Sequence, residues 1–158
     1  MNIDRKKEKY EITLSRIDAL LDENTDFIAA MATIVCELHH AFDYYQWTGF
    51  YRSVGTSHLQ VGPYQGSHGC IDIPFANGVC GAAARTQRTQ LVRDVSSFPG
   101  HIDCSPTTQS EIVVPLLKRS GGVLAVLDID SDLPAAFDEI DQEYLERLCL
   151  GLGLRYGA

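Results

Sequence analysis

The sequence has few positive charges and no long hydrophobic run. Its 158 residues contain 13 Lys and Arg against 21 Asp and Glu, which gives a formal net charge of −8. A phosphate backbone or an anionic membrane surface would repel such a protein. No apolar run reaches membrane-spanning length, and the first residues alternate in charge where a secretory signal needs an apolar core. We therefore expect no nucleic-acid partner, no membrane partner and a cytoplasmic location.

Several motifs with known chemistry are also missing. The chain has no Cys-x-x-Cys, no dinucleotide-binding glycine pattern and no phosphate-binding loop. A phosphatase-type loop is excluded because Arg85 follows Cys80 by five residues, one fewer than that loop requires. The five cysteines are an odd number, which argues against a secreted disulfide framework. In a reducing compartment they should be thiols at rest, and any disulfide should be transient.

Three of the five cysteines lie in polar, turn-forming sequence: Cys70, Cys80 and Cys104. A reactive cysteine needs partial exposure and help to ionise, whereas a structural one usually lies among aliphatic residues. Cys36 and Cys149 occur in apolar helical patterns, so we predict that both pack in the core. The other three are the candidates for sulfur chemistry.

Carboxyl groups occur where they can meet these cysteines. Asp128 and Asp130 are two residues apart in a β-rich run, so strand geometry directs both side chains to one face. If that face is covered, repulsion and desolvation raise the apparent pKa of the pair and keep a proton available near neutral pH. Glu111 starts another β-rich run seven residues after Cys104, so one loop can deliver a thiol and a carboxyl to one pocket. The alternative for the aspartates is a solvated end of an edge strand.

Aromatic residues and glycines suggest where a small ligand would bind. Trp47 and Tyr51 are four residues apart and share one strand face, either as an aromatic wall for a small apolar group or as ordinary core packing. Gly78 and Gly81, on either side of Val79 and Cys80, allow backbone amides to approach a ligand closely.

A zinc site is an alternative use of the same region. Imidazole and thiolate are the preferred zinc ligands, and the candidates are His68, Cys70, Cys80, His101 and Cys104. Their spacings match none of the paired-ligand zinc motifs.

The order of periodic patterns predicts an α+β layout, with helices at both ends of a mainly antiparallel sheet. Thr25 or Asp26 is predicted to cap the second helix. Helices are predicted at about 4–21, from 27 to the His39–His40 pair, at 79–86 and at 138–154, and strands at 47–51, 58–65, 70–74, 90–92, 111–117 and 123–130.

Five fragments, in this order, resemble the free methionine-R-sulfoxide reductases, a family built on a GAF domain: Gly62–Gly66, Gly78–Gly81, Gly100–Cys104, Ser110–Leu116 and Leu127–Ser131. The resemblance runs from about Phe27 to the last helix. It implies a single GAF domain over residues 1–158, in which about 1–24 form an N-terminal helical extension. The implied fold is a central antiparallel sheet of about six strands, with the N- and C-terminal helices on one face and the ligand pocket on the other.

The resemblance also implies roles for the candidate residues. Cys104 matches the nucleophile that becomes a sulfenic acid, Cys70 the resolving thiol, and Cys80 a third, auxiliary or recycling thiol. The matching active-site acids are Glu111, Asp128 and Asp130, and the matching substrate-wall residues are Trp47 and Tyr51. One difference is that Ser105 and Pro106 follow Cys104 where the family's common pattern has an acid, while Asp103 precedes it.

The implied activity is the thiol-dependent reduction of free L-methionine-(R)-S-oxide, a function connected with oxidative stress. No cofactor is expected, because an external dithiol reductant, thioredoxin by resemblance, reopens the disulfide. The resemblance leaves open whether the protein forms a homodimer. The alternative is a non-catalytic GAF module that binds a small molecule or senses redox state. We expect a sensor to carry an output domain, and the chain ends directly after the last predicted helix.

Overall fold

A computed structural model describes residues 2–102 and 104–158. In chain order the elements are α1 (Ile3–Leu20), α2 (Phe27–Ala41), β1 (Trp47–Val54), β2 (His58–Gln65), β3 (Asp72–Pro74), α3 (Gly78–Thr86), β4 (Gln90–Val92), a short 3-10 helix (Val95–Ser97), β5 (Ser110–Leu117), β6 (Val123–Ser131) and α4 (Glu139–Tyr156). None of the helices in these two ranges is both long enough and apolar enough to cross a bilayer. The predicted α+β layout is confirmed.

The strands form one six-stranded sheet in the order β3-β2-β1-β6-β5-β4, with antiparallel neighbours throughout. The two long hairpins, β1–β2 and β5–β6, lie side by side through the β1–β6 pairing. Tight turns close both hairpins at positions that favour glycine, with φ of 64° at Gly55 and 87° at Gly121. The centre of the sheet is therefore β1 and β6, the strands that carry Trp47, Tyr51 and the two aspartates.

The two faces of the sheet have different coverings, as the alternation in β6 requires. Leu127 and Ile129 are fully buried in the apolar cluster under α1, α2 and α4. Asp128 and Asp130 point to the opposite face, which α3 covers with a smaller apolar cluster. The predicted arrangement, with the terminal helices on one face and a pocket on the other, is confirmed.

Helix ends are fixed by side-chain caps. Asp26, one of the two predicted caps, accepts a hydrogen bond of 2.8 Å from the Ala29 amide and starts α2. Asp138 starts α4 through a reciprocal capping box with Asp141. Buried Asp141 also pairs with Lys6 of α1, whose Nζ lies 2.5 Å from Oδ2, and this contact holds α1 against the end of α4.

Two details differ from the predictions. The strand predicted at 70–74 begins at Asp72, so Cys70 lies in the loop before it. Cys149 is 1% exposed and packs in the core as predicted, but the prediction for Cys36 is wrong, because it is only half-buried. Ile34, Val35 and Leu38 occupy the core face of α2, which leaves Cys36 at its border.

Candidate active site

A small cavity of about 40 Å³ lies between the sheet and α3. Nine of the predicted site residues line it: Trp47, Tyr51, Gly78, Val79, Cys80, Cys104, Glu111, Asp128 and Asp130. Cys70 lies at its edge through a bond to Cys104, while Gly81 is not among the lining residues. Residues more than 80 positions apart in the chain, such as Trp47 and Asp130, thus meet in one place because β6 lies between β1 and β5 in the sheet.

Cys70 and Cys104 form a disulfide, with their Cα atoms 5.4 Å apart. This separation is in the normal range for disulfides. The bond joins the loop before β3 to the loop before β5 across 34 residues of sequence. Asp103, which precedes Cys104, lies outside the described residues.

The zinc alternative does not assemble among the described residues. Two of its five candidate ligands, Cys70 and Cys104, are bonded to each other. In the described ranges, the group of donors that lie within 4.8 Å of one another consists of Cys80, Glu111 and Asp128, without either histidine.

Three carboxyl groups are brought together by the register of β5 and β6. Glu111 lies opposite Asp130 in the β5–β6 ladder. Asp128 is two residues before Asp130 and lies on the same face of β6. Glu111 and Asp128 are only 6% and 5% exposed. No Lys or Arg is among the described residues that line the cavity, so no permanent cation offsets the three acids there.

Burial changes the protonation of these acids. It raises the pKa of Glu111 well above its ordinary value, and the Asp130 carboxyl adds to this effect. The pKa of Asp128 is raised by burial and then by Glu111, and the pKa of Asp130 by burial and then by Asp128. The cluster thus holds protons at a pH where isolated carboxyls have lost them. The buried Oδ1 of Asp128 has no hydrogen-bond partner among the described residues, which leaves it open to a ligand.

Cys80 lies in the first turn of α3 and is 4% exposed. Burial raises the pKa of its thiol well above the ordinary value, with further contributions from Asp128 and Glu111. The thiolate is the nucleophilic form of cysteine. Cys80 is therefore held as a neutral thiol, which separates it chemically from the disulfide pair.

Trp47 and Tyr51 form one aromatic wall of the cavity. Their ring centroids are 5.7 Å apart with an interplanar angle of 26°. Trp47 Nε1 donates a hydrogen bond of 2.8 Å to the Ser67 carbonyl oxygen, which fixes the ring. Gly49, between the two in β1, leaves room for the indole, since a Cβ there would lie 2.3 Å from the Trp47 ring.

The two glycines of α3 have different surroundings. Gly78 lines the cavity with φ of 69°, and its amide donates to the Gly100 carbonyl oxygen at 2.9 Å. Gly81 packs against the chain before α3, because a Cβ there would lie 2.7 Å from the Pro74 carbonyl oxygen. Val79 and Cys80 are the residues of this turn that line the cavity beside Gly78.

Some cavity residues were not predicted as catalytic or substrate-binding. His101 Nε2 lies 3.7 Å from Glu111 Oε2, whereas the sequence predicts His101 only as a candidate zinc ligand. Ser105 and Thr108 also line the cavity, from the loop that carries Cys104. The position of His101 three residues before Cys104 was a usable signal, but only the folded loop shows that it turns toward Glu111.

The fold and the covered cavity define the GAF domain class, and the GAF domain family profile matches residues 24–154. The chain is 38% identical to the free methionine-R-sulfoxide reductase of Saccharomyces cerevisiae, over 90% of this chain and 83% of that protein. It is 36% identical to the enzyme of the same name from Escherichia coli, over 90% of this chain and 86% of that protein.

A solved structure gives the same result. The fold is similar to that of free methionine-R-sulfoxide reductase from Neisseria meningitidis in complex with its substrate, with a TM-score of 0.88. The two are 40% identical, and the match covers 93% of this chain and 87% of that one. The chain belongs to the free methionine-R-sulfoxide reductase family.

Replacing Gly49 with alanine should displace Trp47 from the cavity wall. The new Cβ would clash with the indole and with Tyr64 Cβ, 2.6 Å away, at a cost of about 1–3 kcal/mol. Because Trp47 is the single tryptophan, intrinsic fluorescence reports on this ring alone, and its emission should shift to longer wavelength. Gly151→Ala, a helical position with open space, is the control. It should leave the emission unchanged and should not lower the stability. Unchanged emission from Gly49→Ala would refute the packing role.

Proposed function

We propose that this protein reduces free L-methionine-(R)-S-oxide to L-methionine, with Cys104 as the nucleophile. The observation that carries the proposal is a disulfide at the edge of a cavity in which three carboxyls with raised pKa lie beside one of its cysteines. Relatives that bear the name of this activity match nine tenths of the chain.

The first step transfers oxygen from the substrate to Cys104. The Cys104 thiolate attacks the sulfoxide sulfur, whose oxygen is a poor leaving group unless it is protonated. Glu111 or Asp128 supplies that proton, since burial raises the pKa of both. The protonated oxygen then passes to Cys104 Sγ, while its bond to the substrate sulfur and the transient bond between the two sulfurs break. Methionine leaves with its sulfur reduced, and Cys104 keeps the oxygen as a sulfenic acid.

The second step forms the disulfide. Cys70 attacks the sulfenic sulfur of Cys104, and the oxygen leaves as water. The Cα separation of 5.4 Å between these cysteines supports this pairing. Cys80 is an auxiliary thiol in this scheme, because its raised pKa keeps it neutral and disfavours a nucleophilic role.

Substrate binding divides the cavity between apolar and polar contacts. The S-methyl end of the substrate packs on the wall of Trp47 and Tyr51. Its ammonium binds an ionised carboxylate, for which Asp130 is available once another acid holds the proton. Its carboxylate binds at the Gly78–Gly81 turn, and Val79 and Cys80 are the best placed amides, because that of Gly78 is already bonded.

Regeneration needs two electrons from outside the protein. We assign this role to a dithiol reductant, thioredoxin by family resemblance, and propose that the enzyme works without a prosthetic group. A cytoplasmic location suits this cycle, because dithiol reductants keep thiols reduced there.

The substrate assignment is tested with separated sulfoxide epimers. The protein, with dithiothreitol as reductant, should form methionine from free L-methionine-(R)-S-oxide and none from the S epimer. Chromatography of the amino acids measures both rates. Absence of methionine from the R epimer would contradict the proposed function and favour a binding or sensing module.

The roles of the cysteines are tested by single substitutions. Cys104→Ser should abolish methionine formation, because no nucleophile remains. Cys70→Ser should form about one methionine per protein and then turn over slowly, because dithiothreitol must reduce the sulfenic acid directly. Cys36→Ser, on α2 away from the cavity, is the matched control and should keep wild-type rates. Equal activity of all three variants would refute the assignment.

The role of Glu111 is tested by pH. A general acid with a raised pKa works below that pKa, so the wild-type chemical step should slow as pH rises through it. Glu111→Gln should lower kcat by about 10²–10⁴-fold and remove this limb of the profile. The pKa of Glu111 is higher in the folded protein than in the unfolded chain. Wild type should therefore lose stability relative to Glu111→Gln as pH rises above about 4.3, and thermal melts measure this difference. An unchanged pH profile in the variant would exclude Glu111 as the acid.

A further inference from the structure

We infer that the external reductant attacks the disulfide at Cys70 Sγ and that a reductant protein docks over the exposed side chain of Ile71. The inference rests on the proposed function, because only a catalytic disulfide needs regular reduction. It concerns one step of the cycle, the choice between the two sulfurs of one bond.

The cavity makes Cys104 Sγ the poorer target. A thiolate attacks a disulfide in line with the sulfur–sulfur bond, so it approaches Cys104 from the side away from Cys70. Cys104 lines the cavity and Cys70 does not, so an approach to Cys104 through the cavity has room of only about 40 Å³. Its wall also holds Glu111, Asp128 and Asp130, and any ionised member of this group repels an incoming thiolate.

The opposite approach, to Cys70, does not pass through the cavity. Cys70 and Cys104 are both half-buried, but the loop of Cys70 precedes β3, an edge strand of the sheet. Gly69, which precedes it, carries no side chain, and exposed Asp72 is two residues further on. The sulfur of Cys70 is therefore the one that a second protein reaches.

The electrons balance for attack at Cys70. The reductant thiolate forms a bond to Cys70 Sγ, the Cys70–Cys104 bond breaks, and the electron pair leaves on Cys104 Sγ as thiolate. The second thiol of the reductant then attacks the mixed disulfide and releases Cys70. The reductant leaves as a disulfide, and both cysteines return to the reduced state.

Ile71 is placed to contact the reductant. It is the most exposed large hydrophobic residue in the described ranges, at 76%, and it follows Cys70 directly. Its carbonyl oxygen accepts a hydrogen bond of 3.0 Å from the Val61 amide, so its backbone is fixed beside β2. A dithiol protein that bonds to Cys70 must cover the next residue, and covering this isoleucine removes apolar surface from water.

The first test traps the mixed disulfide. Oxidised protein is mixed with thioredoxin whose second active-site cysteine is replaced by serine, so that the adduct cannot resolve. Peptide mapping should find the adduct on Cys70, with Cys104 available for alkylation. An adduct on Cys104 would overturn the inference.

The second test separates docking from chemistry. Ile71→Asp should raise KM for thioredoxin about tenfold over wild type, because burial of an isoleucine is worth at least that factor in affinity. The rate of the same variant with dithiothreitol is the reference for its chemistry. Ile28→Asp, 52% exposed on α2, is the control and should leave KM for thioredoxin unchanged. An equal KM for Ile71→Asp and wild type would refute docking there. Loss of wild-type turnover with dithiothreitol would instead count against the proposed function.

Discussion

The site depends on one constraint: three carboxyl groups lie together at a cavity whose described lining residues include no Lys or Arg. Antiparallel pairing of β5 and β6 sets Glu111 opposite Asp130 and beside Asp128. Separating them would require a shift of register, and a one-residue slip would turn Leu127 and Ile129 out of the core. The packing of the hydrophobic face therefore keeps the three carboxyl groups close together, although repulsion between them opposes this arrangement. The raised pKa values follow from that crowding and from burial.

The disulfide couples this cluster to the surface. Its two cysteines come from the loops before β3 and β5, and Cys104 lines the cavity of about 40 Å³. In the proposed cycle, reduction of the disulfide therefore restores the Cys104 thiol at the wall of this cavity.

Much of this site could be predicted from local sequence because strand alternation is a local property. The spacing of Asp128 and Asp130 and the spacing of Trp47 and Tyr51 each predicted a shared face, and each pair lines the cavity. The position of Cys80 in the first turn of α3 and the cap at Asp26 also followed from nearby residues. The resemblance to a known family supplied the pairing of Cys70 with Cys104, which spacing alone left open.

The rest depended on how each segment packs in the folded protein. The approach of His101 to Glu111 requires the folded path of the loop before β5. Gly81 was predicted to approach a ligand, but the packing of α3 on the Pro74 carbonyl decides its surroundings. Cys36 lies in an apolar helical pattern, yet three neighbours occupy the buried face of α2. In each case the packing of the folded chain decides the outcome, and the local pattern of residues does not determine that packing.

The central claim is that a carboxylic acid keeps its proton beside the cysteines at neutral pH. Infrared difference spectroscopy of the reduced protein at pH 7, wild type against Glu111→Gln, measures this directly through the carbonyl stretch of protonated carboxyl groups. The account predicts a buried carboxylic acid band in wild type that loses the contribution of Glu111 in the variant. A wild-type spectrum with only ionised carboxylates, and no such band to lose, would contradict it.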